Sequence, residues 1–343
     1  MTERHRAGLI GCGFFARNHL HGWRDLGEAV ELVAVCDLDA AKAQAAAAAF
    51  AVPRWYTDAR TMLERERLDF VDIVTTMPSH RPLVTLAAEH GVAAIVQKPF
   101  APTREDCVAM VEACAAAGVP LMVHENFRFQ SPMLAVREVL TSGAIGEITW
   151  ARIAWRTGYD IYAGQPYLAK EERFILLDIG VHVLDLARVL VGEVERVHAE
   201  TQSIRPGIAG EDAATVLLRH RSGAVSVIDC SYASYRDPDP FPETLLEIEG
   251  REGSLVLSPG LELKVRGRSG TSVRSLRTPT LPWTAEPWHV AQESVLNTQR
   301  HWVTCLEAGR EPETSGRDNL KTYALVEAAY ESARIQQAVR PGA

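Results

Sequence analysis

Gly11-Cys12-Gly13-Phe14-Phe15-Ala16 lies between an apolar run at residues 7–10 and a helix-period segment that opens at Ala16. The first glycine permits a tight turn off a strand. The second lets backbone N–H groups approach a pyrophosphate at the positive N-terminus of the helix. Ala16 then allows the helix to pack close to the strand. As a bare string this G-x-G-x-x-A pattern is loose, and its place between strand and helix is what makes it informative. Phe14 and Phe15 fall inside the turn and are expected beside the phosphates. Asp37 closes the next apolar run, 24 residues after Gly13. A carboxylate at that distance meets the adenosine ribose hydroxyls and repels a 2′-phosphate. Leu38 and Asp39 follow it with no Arg or Lys to offset that repulsion, so the cofactor expected is NAD, with NADP disfavoured.

Outward from this turn, short apolar runs alternate with helix-period segments. Strands are predicted at 7–10, 31–36, 70–75, 93–96 and 120–123, with a weaker one at 54–56. Helices are predicted at 16–26, 40–50, 58–66, 82–90 and 104–117, each stopped by Gly, Pro or a polar break. This α/β alternation predicts an N-terminal doubly wound Rossmann domain over residues 1–124. From 125 to 343 the pattern changes. A helix at 133–141, a strand at 147–155 and a helix near 177–190 precede strand-like segments at 194–203, 213–219, 224–232, 245–249 and 253–257. Turn signals such as Arg-Ser-Gly separate them, which predicts an antiparallel or mixed sheet in an α+β domain. Helices near 291–308 and 319–336 close the chain.

The 343 residues exceed the usual span of one core, which supports two domains. With 36 basic against 44 acidic residues and a formal charge of −8, the chain carries no electrostatic footprint for nucleic acid or an anionic membrane. The expected partner is a small molecule. The six cysteines show no CxxC pair and no metal-ligand spacing, so no metal is expected, and they read as reduced thiols. No apolar stretch long enough to span a bilayer is found, and a cytoplasmic enzyme is the expectation.

Two further segments carry candidate chemistry. Gln97-Lys98-Pro99 ends a parallel strand on the carboxyl edge of the sheet, where open α/β folds bind ligands. Thr75-Thr76-Met77-Pro78-Ser79-His80 ends another strand on the same edge. Thr76, Pro78, His80, Gln97 and Lys98 are accordingly expected to contact the cofactor. Farther on, Asp178-Ile179-Gly180-Val181-His182 sets a carboxylate and an imidazole one helical turn apart, so both can face one site. Taken singly these residues have ordinary readings: a lysine before proline can simply end a strand, and His182 with Asp185 can be a helix-surface pair.

In this order the segments resemble the Gfo/Idh/MocA oxidoreductases, the family of glucose–fructose oxidoreductase and inositol dehydrogenase. The resemblance extends to the tail, Glu313-Thr314-Ser315-Gly316 and Ala328-Ala329-Tyr330-Glu331-Ser332-Ala333. It implies that Lys98 is the catalytic lysine of an E-K-P motif and that Asp178 and His182 belong to a D-x-G-x-H motif. It also implies a second domain with a large open, mainly antiparallel sheet, a homo-oligomer (dimer or tetramer), and a sugar, polyol or related carbohydrate as substrate. Gln97 departs from the pattern, for the family commonly has Glu there, and a negative charge beside the Lys98 ammonium is therefore missing. With pKa values near neutrality, histidine suits a general base, so His182 is expected to take the hydroxyl proton. Lys98 polarises the oxygen, and Asp178 orients the hydroxyl or the imidazole. The family also contains enzymes that use NAD for transient oxidation during hydrolysis or elimination, and non-catalytic sensors. Candidate substrate contacts lie in His124-Glu125-Asn126-Phe127-Arg128-Phe129 and in Trp155-Arg156-Thr157-Gly158-Tyr159-Asp160-Ile161-Tyr162.

Overall fold

The computed structural model describes residues 4–278 and 280–342. The chain divides into two compact units, the first comprising Met1–Asn126 with Ser294–Leu320 and the second Phe127–Glu293 with Lys321–Ala343.

In the first unit β1 (His5–Ile10), β2 (Val30–Cys36), β3 (Arg54–Tyr56), β4 (Phe70–Ile73), β5 (Ala93–Gln97) and β6 (Leu121–His124) form a parallel sheet in the order β3-β2-β1-β4-β5-β6. The central strands are near-continuous runs of Val, Ile, Leu and Ala, as expected of strands covered on both faces. The order reverses between β1 and β4, and the carboxyl ends of those strands bracket the crevice where doubly wound sheets take their ligands. The intervening helices are α1 (Ala16–Asp25), α2 (Ala40–Phe50), α3 (Ala59–Arg65), α4 (His80–Glu89) and α5 (Arg104–Ala117). Asp39, Asp58 and Thr103 cap α2, α3 and α5 by accepting from backbone N–H groups of the first turn.

In the second unit α6 (Ser131–Thr141), β7 (Ile148–Arg156), α7 (Ile161–Gly164) and α8 (Val181–Val191) precede β8 (Val194–Gln202), β9 (Ala213–His220), β10 (Val225–Ser231), β11 (Leu245–Gly250), β12 (Ser254–Ser258), β13 (Glu262–Gly267) and β14 (Gly270–Ser275). These strands make one open sheet, β14-β13-β12-β11-β7-β10-β9-β8. Within it β7 and β10 pair in parallel and the other neighbours are antiparallel. On β9, Val216 and Leu218 are buried while Thr215, Leu217 and Arg219 are exposed, the alternation of a sheet covered on one face. The strands β13 and β14 were not among those expected from the sequence. Gly-Thr-Ser-Val-Arg-Ser has no apolar alternation, and β14 exists because a glycine turn folds it back onto β13 as an exposed edge.

The closing helices α9 (His289–Glu307) and α10 (Gly316–Ile335) correct the expected division, which placed the whole tail in the second domain. Residues 294–320 complete the first core instead. Trp302 is fully buried in a cluster with Trp23, Leu9 and Ile95, and its ring meets Phe70 edge-on at 5.8 Å. The Gln299 side chain of α9 lies over Gly22 of α1, where a Cβ would stand 1.9 Å from its Oε1. The Val123 N–H donates to Thr314 O at 2.8 Å.

Candidate active site

At the turn after β1, Gly11 has φ +94° and a Cβ there would stand 2.4 Å from Val74 O, so this position requires glycine on both counts. Gly13 differs, because a Cβ there would meet nothing within 4 Å. The open space faces a helix whose N-terminus has no side-chain cap, leaving the first N–H groups of α1 for an anion. Phe14 and Leu38, 85% and 92% exposed, are apolar side chains that a bound dinucleotide can cover. Asp37 is held in place by its own loop, accepting from the Cys12 N–H at 2.7 Å and from the Asp39 N–H at 2.8 Å. Phe15 sets its ring edge-on to His19 at 5.5 Å. Thr76 and Pro78 are exposed just beyond β4. These residues fit a pyrophosphate and a ribose diol.

His80 does not join them. It is fully buried, with Nδ1 3.0 Å from Phe100 O and Nε2 3.1 Å from Thr75 O. Burial pulls the ring below the ordinary histidine value, against carbonyl oxygens that favour its charged form. The side chain ties the end of β4 to the turn after Lys98, and the expected contact with cofactor is replaced by this clamp.

Lys98 follows β5, and its backbone N–H donates to Gln97 Oε1 at 2.7 Å. Gln97 is buried and reaches His19 Nε2 at 3.1 Å, while His19 Nδ1 lies 2.8 Å from Asp72 Oδ2. Burial opposes the Asp72 charge, but the His19 and His124 rings and the Trp23 N–H together hold the carboxyl below its usual range. Neither His19 nor Asp72 stands out in the sequence: one is a helical histidine with no motif around it, the other interrupts an apolar strand.

In the second unit, residues 176–180 form a π-helical turn leading into α8, where the sequence predicts one unbroken helix. Such single turns are characteristic of functional positions, because the extra residue re-aims the side chains. Asp178 sits in this turn and accepts from Tyr232 Oη–H at 2.9 Å. The start of the segment is held by Glu211 Oε1, which accepts from the N–H groups of Phe174 and Leu176 at 3.2 Å and from Tyr330 Oη–H at 2.7 Å. His182, on the first turn of α8, is buried and stacks flat on Phe127 with centroids 3.8 Å apart and planes 3° apart. Tyr232 is a neighbour that the sequence did not single out, since strand ends carry many aromatics and nothing local marks this one. Phe127 lies in a segment expected to touch substrate, and here its ring backs His182.

The candidate substrate segments divide. Arg128 is consumed by Asp185, to which Nε and Nη2 donate at 2.7 and 2.5 Å. Trp155 donates to Pro242 O at 3.2 Å, Arg156 pairs with Asp229, and Tyr159 stacks on Phe241 at 4.0 Å. These are packing roles. Tyr162 is different: its hydroxyl is buried without a protein partner, and Asp212 and Asp178 add to burial in pushing its pKa up to about 12. Among the described residues no group of His, Cys, Asp or Glu is arranged to hold a metal.

A parallel sheet in dinucleotide-binding order with a glycine turn, joined to an open mixed sheet, defines a class, and sequence comparison agrees with it. Residues 5–125 match the oxidoreductase family with an NAD-binding Rossmann fold, and residues 133–256 match the GFO/IDH/MocA C-terminal domain. The chain belongs to this family and is an NAD-binding oxidoreductase. It is 56% identical to a D-apiose dehydrogenase of Paraburkholderia graminis over 97% of this chain and 88% of that one. A D-apiose dehydrogenase of Rhizobium rhizogenes is 50% identical over 100% and 99% of the two chains. Among solved structures, an oxidoreductase from Agrobacterium radiobacter in complex with NAD+, L-tartaric acid and magnesium superposes with a TM-score of 0.97, at 49% identity and 99% coverage of both chains.

Proposed function

We propose that this protein is an NAD-dependent D-apiose dehydrogenase, with Lys98, Asp178 and His182 as its catalytic residues. The observation that carries the substrate is the near full-length identity, 56% and 50%, to two D-apiose dehydrogenases. When bound, the nicotinamide supplies the hydride acceptor or donor. The residues proposed to hold NAD are Gly11, Gly13, Phe14, Phe15, Asp37, Thr76 and Pro78, with Gln97 and Lys98 at the neighbouring strand end. The Lys98 ammonium hydrogen-bonds the reacting oxygen and stabilises the charge that develops there. The neutral His182 imidazole accepts the hydroxyl proton, and stacking on Phe127 fixes the plane in which it does so. Asp178, steadied by Tyr232, accepts a hydrogen bond from a substrate hydroxyl or from the imidazole. We further propose a cytoplasmic homo-oligomer. Its support is six free thiols, which suit a reducing compartment, and a broad sheet face that exposes Leu217 and Val256.

The test is NADH formation with D-apiose, D-xylose and myo-inositol, for wild type and Lys98→Ala. Turnover fastest with D-apiose, and a fall in kcat of roughly a hundredfold or more in the variant, is expected. Equal turnover of all three, or none with NADH tightly retained, would refute the assignment.

A further inference from the structure

Behind Lys98 the first unit buries a chain of polar side chains whose hydrogen-bond directions follow from chemistry alone. The Lys98 backbone N–H can only donate, and it lies 2.7 Å from Gln97 Oε1, so the other end of that amide is its NH2. That NH2 lies 3.1 Å from His19 Nε2, which must therefore accept and carry no proton. The single proton of the ring is on Nδ1, 2.8 Å from Asp72 Oδ2. The same oxygen accepts from Trp23 Nε1–H at 2.7 Å. Every link has one donor and one acceptor. His19 and Asp72 are fully buried and Gln97 is 8% exposed, conditions in which a matched chain of hydrogen bonds holds its geometry. Near the ring stand Phe15, just before α1, and His124 from β6 with centroids at 4.3 Å, and Gln299 from α9 donates to the backbone His19 O at 3.1 Å.

We infer that His19, anchored on Asp72, is a positioning residue for Lys98: acting through the Gln97 amide, it fixes the backbone that carries the lysine. Glutamine at position 97 is part of the device. A carboxylate there would set an acceptor against the unprotonated Nε2, and the link would need a second proton on the ring. The inference rests on the catalytic reading of Lys98 proposed above.

Two substitutions of His19 separate positioning from simple structure. His19→Gln keeps an acceptor near the Nε2 position toward Gln97, whereas His19→Asn keeps a donor near Nδ1 toward Asp72. Expected is a kcat within about threefold of wild type for His19→Gln and roughly tenfold or more below it for His19→Asn, since small misplacements of a catalytic group cost that much. KM for D-apiose and NADH affinity stay near wild type, and Tm ranks the pair the other way. A kcat that follows Tm in both variants, or is equal in both, overturns the inference. If neither variant folds, Gln97→Met takes their place: a kcat loss of roughly tenfold at saturating NAD+ supports the relay, and a wild-type kcat refutes it. Lys98→Ala keeps the two claims apart. Activity retained there refutes the lysine reading itself, while activity lost there but intact in the His19 and Gln97 variants refutes the relay alone.

Discussion

The two units hold their chemical groups by different physical means. In the first, Lys98 is backed by hydrogen bonds running from its own N–H through Gln97 and His19 to a buried carboxylate. In the second, rings bear on both groups: Tyr232 donates to the Asp178 carboxylate and Phe127 lies flat on the His182 imidazole. A polar chain works only when each donor meets an acceptor, so a single wrong atom is felt along its length. Aromatic support is broader and degrades more gradually. Substitutions should therefore be sharper in the first unit than in the second.

The largest effect in the second unit is expected at Tyr232→Phe. It removes one hydrogen bond to a carboxylate, worth about 1.5–3 kcal/mol, while the ring stays stacked on Phe174. A kcat about tenfold lower with a small change in Tm is the expected result, read from initial rates and a melting curve. Next come the two glycines. Gly11→Ala meets both a positive φ and the Val74 carbonyl, and should cost about 2 kcal/mol or more in denaturant unfolding. Gly13→Ala enters open space, so its unfolding midpoint stays put while NADH affinity, followed by fluorescence, falls.

The buried carboxylate gives a pH signature. Because the Asp72 carboxyl is held below its usual range in the folded state, its contribution to stability is complete above the unfolded pKa of about 3.9. It is lost as pH falls through the folded value. Wild type should lose Tm over that acid range, whereas Asp72→Asn starts lower at neutral pH and shows a flatter acid limb. The smallest effect concerns Cys12. It lies in the nucleotide turn, yet burial, Asp37 and Cys36 push its pKa up to about 12, so iodoacetamide at pH 8 should spare it, as peptide mapping would show.

Much of this was legible in the sequence because the relevant signals are local. The glycine turn, the apolar strands of the parallel sheet and the spacing from Gly13 to Asp37 all lie within short windows. Lys98, Asp178 and His182, proposed above as catalytic, stand out in the sequence as a pattern of motifs in order. What escaped is long-range: His19 and Asp72 are 53 residues apart, and Tyr232 is 54 from Asp178. A buried aspartate inside Phe-Val-Asp-Ile looks like any interruption until its partner is in view. His80 misled for a related reason, since its position at the strand end suggested a ligand while its ring is buried with both nitrogens facing backbone carbonyls. The return of residues 294–320 to the first core was hidden too, because an amphipathic helix does not state which core it covers.

The most direct test of the central claim is the rate of NADH formation from NAD+ and D-apiose by the purified protein, with NADP+ in parallel. Rapid turnover with NAD+, and a marked loss of turnover with NADP+ that Asp37→Ala lessens, is the predicted result. No turnover of D-apiose with either nucleotide, by protein shown to bind NADH, would contradict it.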